Sequence, residues 1–285
     1  MRKSKIYLCP RTKKELILNN GKLISKNTKY YILKKNNNHT ITDFINNSEK
    51  SNFYSEKKFY KNYLSWLSKT LIMKLNLIRS EIFDGLKIKK KSNILFLGCG
   101  FGDEIKYFIK KYRFLRTIYA QDISKNMIFE SSKNLKDNKI EFSISNANSL
   151  PYKNNFFDLV FHFGGFNEFE QKKKSLLEIN RVAKNKGVIL ISDEGMAPWL
   201  SNTERYKALK INNKLWSSPP PISILPIDSD KVKISWILKN NFYKITYEKN
   251  SLRDKINYNV IHKSPRGGSI KSRYESYYKK KLTQF

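Results

Sequence analysis

Apolar and polar residues between positions 91 and 196 alternate in a way that is typical of strands followed by helices. Short apolar runs predict five strands, at 94–97, 117–121, 140–145, 157–163 and 187–192. Amphipathic stretches between them predict helices, of which the clearest are 104–111, 124–134 and 172–182. Regular alternation of this kind demands a parallel sheet with helices on both faces. The sequence therefore predicts an α/β core in this segment.

The chain before this core has two patterns of its own. Residues 1–48 alternate short apolar runs with polar turns, and the Asn20-Gly21 dipeptide between two runs indicates a hairpin. Within 49–90, apolar residues recur at helical spacing, and the aromatic ones among them, such as Tyr63 and Trp66, are interpreted as core. We therefore expect a small N-terminal β module followed by one or two amphipathic helices.

The chain after the core predicts an insertion, a closing pair of strands and a tail. Residues 197–227 lie outside the alternating pattern and include a proline-rich stretch, so we expect an insertion that caps a substrate. Residues 228–240 are interpreted as a helix, and 242–247 with 258–262 as an antiparallel pair. The basic segment 263–285 is then a tail.

The first predicted strand of the core runs into three closely spaced glycines, Gly98, Gly100 and Gly102. Glycine lets the backbone turn sharply there and lets a ligand approach its amides. Asp122 stands 20 residues beyond Gly102, at the end of the second strand, where nucleotide-binding folds place an acid that binds ribose. Nicotinamide folds have Gly-x-Gly-x-x-Gly, but Asp103 occupies the third position here. A nucleoside-type ligand is predicted.

Further runs follow in a fixed order, at 146–152, 156–161 and 178–193. With the glycine turn and Asp122, they make residues 91–196 resemble a class I S-adenosylmethionine-dependent methyltransferase, of the small-molecule type that includes the ubiquinone/menaquinone methyltransferases. The resemblance implies a Rossmann-like, seven-stranded, mostly parallel sheet with helices on both faces, to which the N-terminal β module is added. It also implies S-adenosyl-L-methionine as cofactor and a methyl acceptor as substrate.

The family's cofactor contacts transfer onto named positions of this chain. The glycine turn would lie along the amino-acid part of the cofactor, and Asp122 would hold the ribose. These implied cofactor-binding residues, with those beside the adenine, are Gly98, Cys99, Gly100, Gly102, Asp122, Ile123, Asn146 and Ala147.

Two positions depart from the family's pattern. The family usually carries Asp or Glu two residues before the first glycine, where this chain has Phe96, and Asp where Asn146 stands. An amide oxygen still accepts a hydrogen bond from adenine, so Asn146 is a mild change. Phe96 removes a carboxylate that normally helps to orient the methionine end, which leaves room for weakened or lost activity.

The resemblance also implies a domain organisation. The methyltransferase domain would cover 91–262, with the insertion at 197–227 over the substrate. The helices of 49–90 would lie over the cofactor site, where Tyr54 or Tyr60 would shield the sulfonium.

Candidate catalytic residues follow the fourth and fifth predicted strands, because ligands of parallel sheets bind at the carboxyl ends of strands. His162, Asn167 and Glu168 follow the fourth strand, and Asp193 and Glu194 follow the fifth. Methyl transfer needs two reactants held in contact and sometimes the removal of one proton. His162 is the candidate general base because its ordinary pKa is near neutrality. The alternatives are a strand-end packing role for His162 and a helix start at Asp193 and Glu194.

The N-terminal module also resembles a degenerate zinc ribbon. Residues 9–12 and 25–28 have the paired spacing of such a ribbon, with hydroxyl residues at three of the four ligand positions. With one thiol no metal is expected, and a plain hairpin is the alternative. Cys9 and Cys99 are the two cysteines of the chain and are too far apart in sequence to suggest a structural disulfide. A reducing, cytoplasmic location is expected.

The 285-residue chain has a formal net charge of +32, but residues 91–196 contribute only +5 of it. The excess lies on the flanks and consists mostly of lysine, in a chain that is also rich in Asn and Ile. Either compositional drift or a functional basic patch for RNA accounts for it. No run approaches the roughly 20 apolar residues of a membrane-spanning helix.

Three functions are compatible with these features of the sequence. The first is methyl transfer to a small-molecule acceptor. The second is RNA methylation through the basic flanks, although 163–166 lacks the Asn/Asp-Pro-Pro-Tyr element that positions base amines, and Cys99, inside the cofactor turn, cannot act as a cytosine-attacking nucleophile. The third is cofactor binding without catalysis, suggested by Phe96 and Asn146.

Overall fold

The computed structural model describes residues 2–25, 28–36, 39–45, 57–89, 91–113, 117–135, 139–250, 257–261 and 267–281. For 34–36 and 57–61 it describes the backbone only. The chain divides into two compact units, one ending at residue 249 and one beginning at residue 250. In the described ranges, no helix is long or apolar enough to cross a membrane.

The first unit is built on one mixed sheet. In the described ranges it has twelve strands: β1 (Arg2–Leu8), β2 (Glu15–Asn19), β3 (Lys22–Ser25), β4 (Thr28–Asn36), β5 (His39–Asp43), β6 (Ile94–Leu97), β7 (Ile118–Asp122), β8 (Ile140–Ile144), β9 (Phe157–Phe163), β10 (Ala183–Glu194), β11 (Ser229–Ile237) and β12 (Phe242–Lys249). Their order across the sheet is β1-β2-β3-β4-β5-β8-β7-β6-β9-β10-β12-β11.

Helices cover this sheet on both faces. Those of the first unit are α1 (Lys57–Leu71), α2 (Leu75–Ile82), α3 (Asp103–Tyr112), α4 (Lys125–Asn134), α5 (Lys172–Val182) and α6 (Glu204–Asn212). Helix α3 begins with two acids and ends with two lysines, an arrangement that the helix dipole favours. In α4, Ser124 caps the N-terminus by accepting a hydrogen bond from the Met127 amide.

The central strands run parallel, from β5 through β8, β7, β6 and β9 to β10. Strand β12 pairs antiparallel with β10, and β11 pairs antiparallel with β12, so β11 runs in the same direction as the central strands. The chain passes from β6 outward to β7 and β8, then returns to the other side of β6 as β9. The strand order thus reverses between β6 and β9, and the carboxyl ends of the strands at such a point form a crevice. The predicted α/β fold with seven core strands, β6 to β12, is confirmed.

Two predictions for the end of the core are wrong. Residues 228–240 are interpreted above as a helix but form strand β11, and β11 rather than 258–262 pairs with β12. Val232, Ile234 and Trp236 alternate with polar residues in β11, which is the two-residue period of a strand. Position 262 lies outside the described residues, and Ile261 makes an isolated bridge to Ser269.

The sheet separates two apolar layers. Ile94 and Phe96 of β6 face the layer of α2 and α3, whereas Leu95 and Leu97 face the layer of α5 and the N-terminal strands. The alternation within one four-residue strand thus joins both halves of the core.

The N-terminal strands β1 to β5 form an antiparallel meander that continues the core sheet through the parallel β5–β8 pair. The Leu8 amide donates to the Pro151 carbonyl at 2.7 Å. Cys9 is fully buried, with its Sγ 3.3 Å from the Tyr30 hydroxyl. Positions 26–27 of the zinc-ribbon resemblance lie outside the described residues, and that resemblance stays a prediction.

The lead-in helices and the insertion pack together. Trp66 of α1 lies 6.2 Å from Trp216, which in turn lies 5.5 Å from Phe242, measured between ring centroids. Trp216 belongs to a short 3₁₀ turn of the insertion and is buried. Tyr54 and the side chain of Tyr60 lie outside the described residues.

The second unit, in its described ranges, consists of a short turn and helix α7 (Ile270–Tyr278). Ser269 and Ser272 form a capping box at the start of α7. Arg273 folds back to donate to the Gly267 carbonyl at 2.8 Å. Ser264, Pro265 and Arg266 lie outside the described residues.

Candidate active site

The glycine turn follows β6 at the crevice, and its three glycines have different surroundings. All three have a positive φ: 59° at Gly98, 51° at Gly100 and 82° at Gly102. A Cβ on Gly98 would lie 3.1 Å from Cε1 of His162, and one on Gly102 would lie 2.6 Å from a methyl of Leu135. A Cβ on Gly100 would meet no atom of the described residues within 4 Å. The outer glycines are therefore needed for packing, whereas the space over Gly100 is open to a ligand.

Asp122 lies directly against this turn. One carboxylate oxygen accepts a hydrogen bond from the Gly100 amide at 2.9 Å, and the other accepts one from the Ser124 amide at 2.9 Å. The side chain is buried, and burial raises the pKa of Asp122 above its ordinary value. Each carboxylate oxygen has a further lone pair, so the group is still able to accept a hydroxyl donor. The structure brings together the turn and the acid that the sequence placed in one site.

Gln121 is a contact that sequence reasoning missed. Its side-chain oxygen accepts from the Gly98 amide at 3.3 Å, and its side-chain nitrogen donates to the Ser145 carbonyl. The side chain thus ties the ends of β6, β7 and β8 together. The available signal was a polar residue in an otherwise apolar buried strand, since such a residue needs partners.

The positions expected beside adenine lie at the ends of β7 and β8. The Ser145 amide donates to the Asp122 carbonyl at 3.0 Å, which puts the two strand ends side by side. Asn146 caps a short 3₁₀ turn by accepting from the Asn148 amide at 2.8 Å. Ala147 is buried and Ile123 half-buried. These residues adjoin Asp122 along one edge of the crevice.

His162 lies beneath the glycine turn rather than in the open crevice. Its Nδ1 donates to the Leu97 carbonyl at 2.9 Å, and its ring packs against Phe166 and Phe169. Burial lowers the pKa of His162 to about 4. The ring is therefore neutral near pH 7, and its contacts support the turn from below.

Asp193 and Glu194 end strand β10, on the other side of β6. Asp193 is fully buried, and its carboxylate accepts from the amides of Gly165, Asn167 and Glu194 at 2.6–3.2 Å. Burial, reinforced by the negative charge of Glu194, raises the pKa of Asp193 well above its ordinary value. Asp193 thus fixes the loop that follows β9.

Glu194 faces the lead-in helix. Its carboxylate accepts a hydrogen bond from the hydroxyl of Tyr63, and its backbone carbonyl accepts from the Asn167 side chain at 2.6 Å. Tyr243 donates to the same Asn167 side chain at 3.0 Å. The ends of β9, β10 and β12 and the helix α1 are held together by these groups.

A cavity of about 620 Å³ opens next to Glu194. Its lining comes from α1, the loop after β9 and the insertion: Tyr63, Trp66, Glu168, Asn212, Asn213, Lys214 and Leu215. Burial and the nearby charge of Glu194 raise the pKa of the Glu168 carboxyl. The cavity combines the stacked rings of Tyr63 and Trp66 with one carboxylate and one lysine. Of these residues, Glu168 is a candidate site residue predicted from the sequence, whereas Tyr63 and Trp66 are not.

Phe96 is part of the core. It is 1% exposed, and its ring lies 5.3 Å from Phe108 and 5.1 Å from Phe161. Position 96 therefore presents an aromatic ring to α3, with no polar group for a ligand.

A family model described as a methyltransferase domain matches residues 95–191 of the chain. An uncharacterised protein of Methanocaldococcus jannaschii is 29% identical over 203 residues, 70% of each chain. The demethylmenaquinone methyltransferase of Thermotoga maritima is 34% identical over 113 residues, 40% of this chain and 46% of the relative. The ubiquinone/menaquinone biosynthesis C-methyltransferase of Blochmanniella pennsylvanica is 29% identical over 127 residues, 43% and 48%. The chain spans about half the length of these two methyltransferases.

Solved structures share the fold. The phosphoethanolamine N-methyltransferase 2 of Haemonchus contortus, in complex with S-adenosyl-L-methionine, matches 70% of this chain and 59% of its own, with a TM-score of 0.52 and 13% identity. A protein of Methanococcus maripaludis, itself only provisionally assigned as an S-adenosyl-L-methionine-dependent methyltransferase, matches 73% and 99%, with a TM-score of 0.50 and 21% identity. Residues 95–191 thus match a methyltransferase domain, and the strand order and glycine turn around them are those of the class I S-adenosylmethionine-dependent methyltransferase fold.

Proposed function

We propose that the protein transfers a methyl group from S-adenosylmethionine to a small-molecule acceptor bound in the cavity beside Glu194. The observation that carries this proposal is the pairing of the Asp122 carboxylate with the Gly100 amide under open space. A ligand over Gly100 lies against main chain that carries no side chain and next to a carboxylate with free lone pairs, which suits the ribose of a nucleoside.

Different residues of the crevice bind different parts of the cofactor in this proposal. Asp122 accepts the ribose hydroxyls, Ile123 packs on the adenine, and Asn146 with Ala147 contacts its amine. The turn from Gly98 to Gly102 lies along the amino-acid end. The bound cofactor supplies a methyl group already activated on a sulfonium, so the protein's main task is to hold the acceptor in line with it.

Glu168 is the group that we expect to receive a proton where the acceptor must lose one. It lines the cavity, and its pKa is raised, which makes its carboxylate a stronger base than an ordinary one. His162, by contrast, is buried beneath the turn with its Nδ1 on a carbonyl. We assign His162 to positioning the turn, and Asp193 to positioning the loop that carries Glu168.

Thermal melting tests cofactor binding. A ligand at 100 times its Kd stabilises the folded state by about 2.7 kcal/mol, so S-adenosylhomocysteine should raise the Tm by several degrees, whereas NAD should not. Asp122→Ala should abolish the rise, and Glu204→Gln, at an exposed carboxylate of α6, should preserve it. An unchanged rise in Asp122→Ala would remove the ribose assignment.

Label transfer tests the acceptor class. The protein is incubated with methyl-labelled S-adenosylmethionine and either a low-molecular-weight cell extract or total RNA. Label in the small molecules supports the proposal. Label in the RNA supports RNA methylation, the alternative suggested by the net charge of +32. Binding without label in either fraction supports a non-catalytic role. Cytoplasmic location stays a prediction.

A further inference from the structure

Among the residues that the structure describes, Arg79 of α2 has a buried donor without a hydrogen bond. Its side chain is 13% exposed, and the donor is its buried Nε. The nearest carboxylates are those of Glu104, 3.6 Å from Nε, and Asp103, 4.0 Å from a terminal nitrogen. Both distances exceed hydrogen-bond length. A buried guanidinium with an unused donor is costly unless another group meets it.

The carboxylates near Arg79 stand at the start of α3, directly after Gly102. Burial raises the pKa of the Glu104 carboxyl. Burial also raises the pKa of the Cys99 thiol, and the charges of Asp122 and Glu104 add to that shift. Glu104 is thus within electrostatic reach of the glycine turn, and Arg79 comes to the same place from α2.

The charges of this pair suit one part of the expected cofactor. Its amino-acid end bears a carboxylate and an ammonium, and position 96, where the family carries an acid, is filled by a phenyl ring in the core. A guanidinium and a carboxylate side by side present both complementary charges.

We propose that Arg79 and Glu104 bind the amino-acid end of the methyl donor, Arg79 its carboxylate and Glu104 its ammonium, in place of the acid missing at position 96. This rests on the proposed function, since it takes S-adenosylmethionine as the ligand. The pair gives specificity for the complete amino-acid end and not for the adenosine.

Calorimetric titration with two ligands tests the pair. S-adenosylhomocysteine has the amino-acid end, and 5′-methylthioadenosine keeps the adenosine and the sulfur without it. Arg79→Met and Glu104→Gln should each weaken binding of the first ligand about 10- to 100-fold, the range expected for a charge-assisted hydrogen bond. Both variants should bind the second ligand as the unmodified protein does.

Controls separate the two proposals. Arg113→Met, at an exposed arginine after α3, should change neither affinity, and Asp122→Ala should weaken both. An unmodified protein that binds neither ligand would overturn the proposed function. Equal losses for both ligands in folded Arg79→Met and Glu104→Gln, or no loss at all, would overturn the assignment of this pair alone. If Arg79→Met does not fold, Arg79→Lys and Glu104→Gln carry the test.

Discussion

Two regions of the crevice are built in different ways. The glycine-turn side, at the ends of β6, β7 and β8, is held by contacts between backbone amides and the side chains of Gln121 and Asp122. The acidic side, at the ends of β9 and β10, is held by side chains from distant segments, among them Tyr63 on Glu194 across 131 positions of sequence. The first region is local along the chain and the second is not.

The difference matters for function. In the function that we propose, the turn and the strand-end acid about 20 residues away bind the methyl donor, and the main chain rather than many side chains gives this side its shape. The acidic side draws its lining from α1, the loop after β9 and the insertion. Substitutions there change the shape of the cavity without disturbing the turn. We infer that acceptor choice is set on the acidic side and cofactor choice on the turn side.

The largest effect is expected at Phe96, where the turn side has a phenyl ring in place of the acid that the resembled family usually carries. Phe96→Asp places a carboxylate among Phe83, Phe108 and Phe161. Loss of the ring and burial of an unpaired charge together should lower the free energy of unfolding by more than about 5 kcal/mol. Urea unfolding followed by circular dichroism measures it.

Phe96→Leu is the control for this change and should cost less than about 2 kcal/mol. A folded Phe96→Asp protein that binds S-adenosylhomocysteine more tightly would mean that position 96 faces the ligand after all.

This contrast also explains what the sequence could predict. The proximity of Gly98, Gly100 and Asp122 can be predicted, because the ends of parallel strands meet at one edge of the sheet. A single helix separates these two strands, which fixes the spacing between the turn and the acid along the chain. Tyr63 and Trp66 were interpreted only as part of an amphipathic stripe, since no local pattern tells which strand end such a stripe will meet.

Misassignments have equally physical causes. Residues 228–240 are predicted as a helix because a helix usually precedes the closing strands of this fold. Val232, Ile234 and Trp236, however, alternate with polar residues, as they do in a strand. His162 was favoured for its ordinary pKa, but burial, which a sequence does not report, lowers that pKa to about 4. Gln121 and Arg79 were passed over because their partners are known only from the fold.

His162 belongs to β9 on the acidic side and bonds to the Leu97 carbonyl on the turn side. The pH dependence of the unfolding free energy tests whether its ring is buried. Its pKa is about 4 when folded against 6.5 ordinarily, so the unfolded chain takes up the proton first. The stability that neutral His162 contributes is present above pH 6.5 and is lost as the pH falls towards 4, by about 3 kcal/mol in all. His162→Gln should flatten the unfolding free energy in that window relative to the unmodified protein. The same pH dependence of the unfolding free energy in His162→Gln and in the unmodified protein would show that the ring is solvated and free for proton transfer.

Alanine substitutions at Gly102 and Gly100 distinguish a glycine that packing requires from a glycine that ligand binding requires. Gly102→Ala meets Leu135 at 2.6 Å and should cost about 2 kcal/mol in unfolding free energy. The methyl group of Gly100→Ala meets no atom within 4 Å in the part of the chain that the structure describes, so the change should cost about 1 kcal/mol, from its positive φ alone. Yet Gly100→Ala should weaken S-adenosylhomocysteine binding the more, because its methyl group enters the ligand's space. Equal affinities in the two variants would contradict an open cradle at Gly100.

The smallest effect concerns the acidic side alone. Tyr63→Phe removes the hydroxyl that donates to Glu194 and should lower the Tm by about 2 to 4 °C, the equivalent of about 1 kcal/mol. Tyr243→Phe, which loses the 3.0 Å bond to Asn167, is its matched control. Because the two hydroxyls donate to Glu194 and Asn167, both on the acidic side, both variants should bind S-adenosylhomocysteine within about twofold of the unmodified protein. A loss above tenfold in Tyr63→Phe alone would mean that α1 closes over the cofactor, and that the two regions act as one.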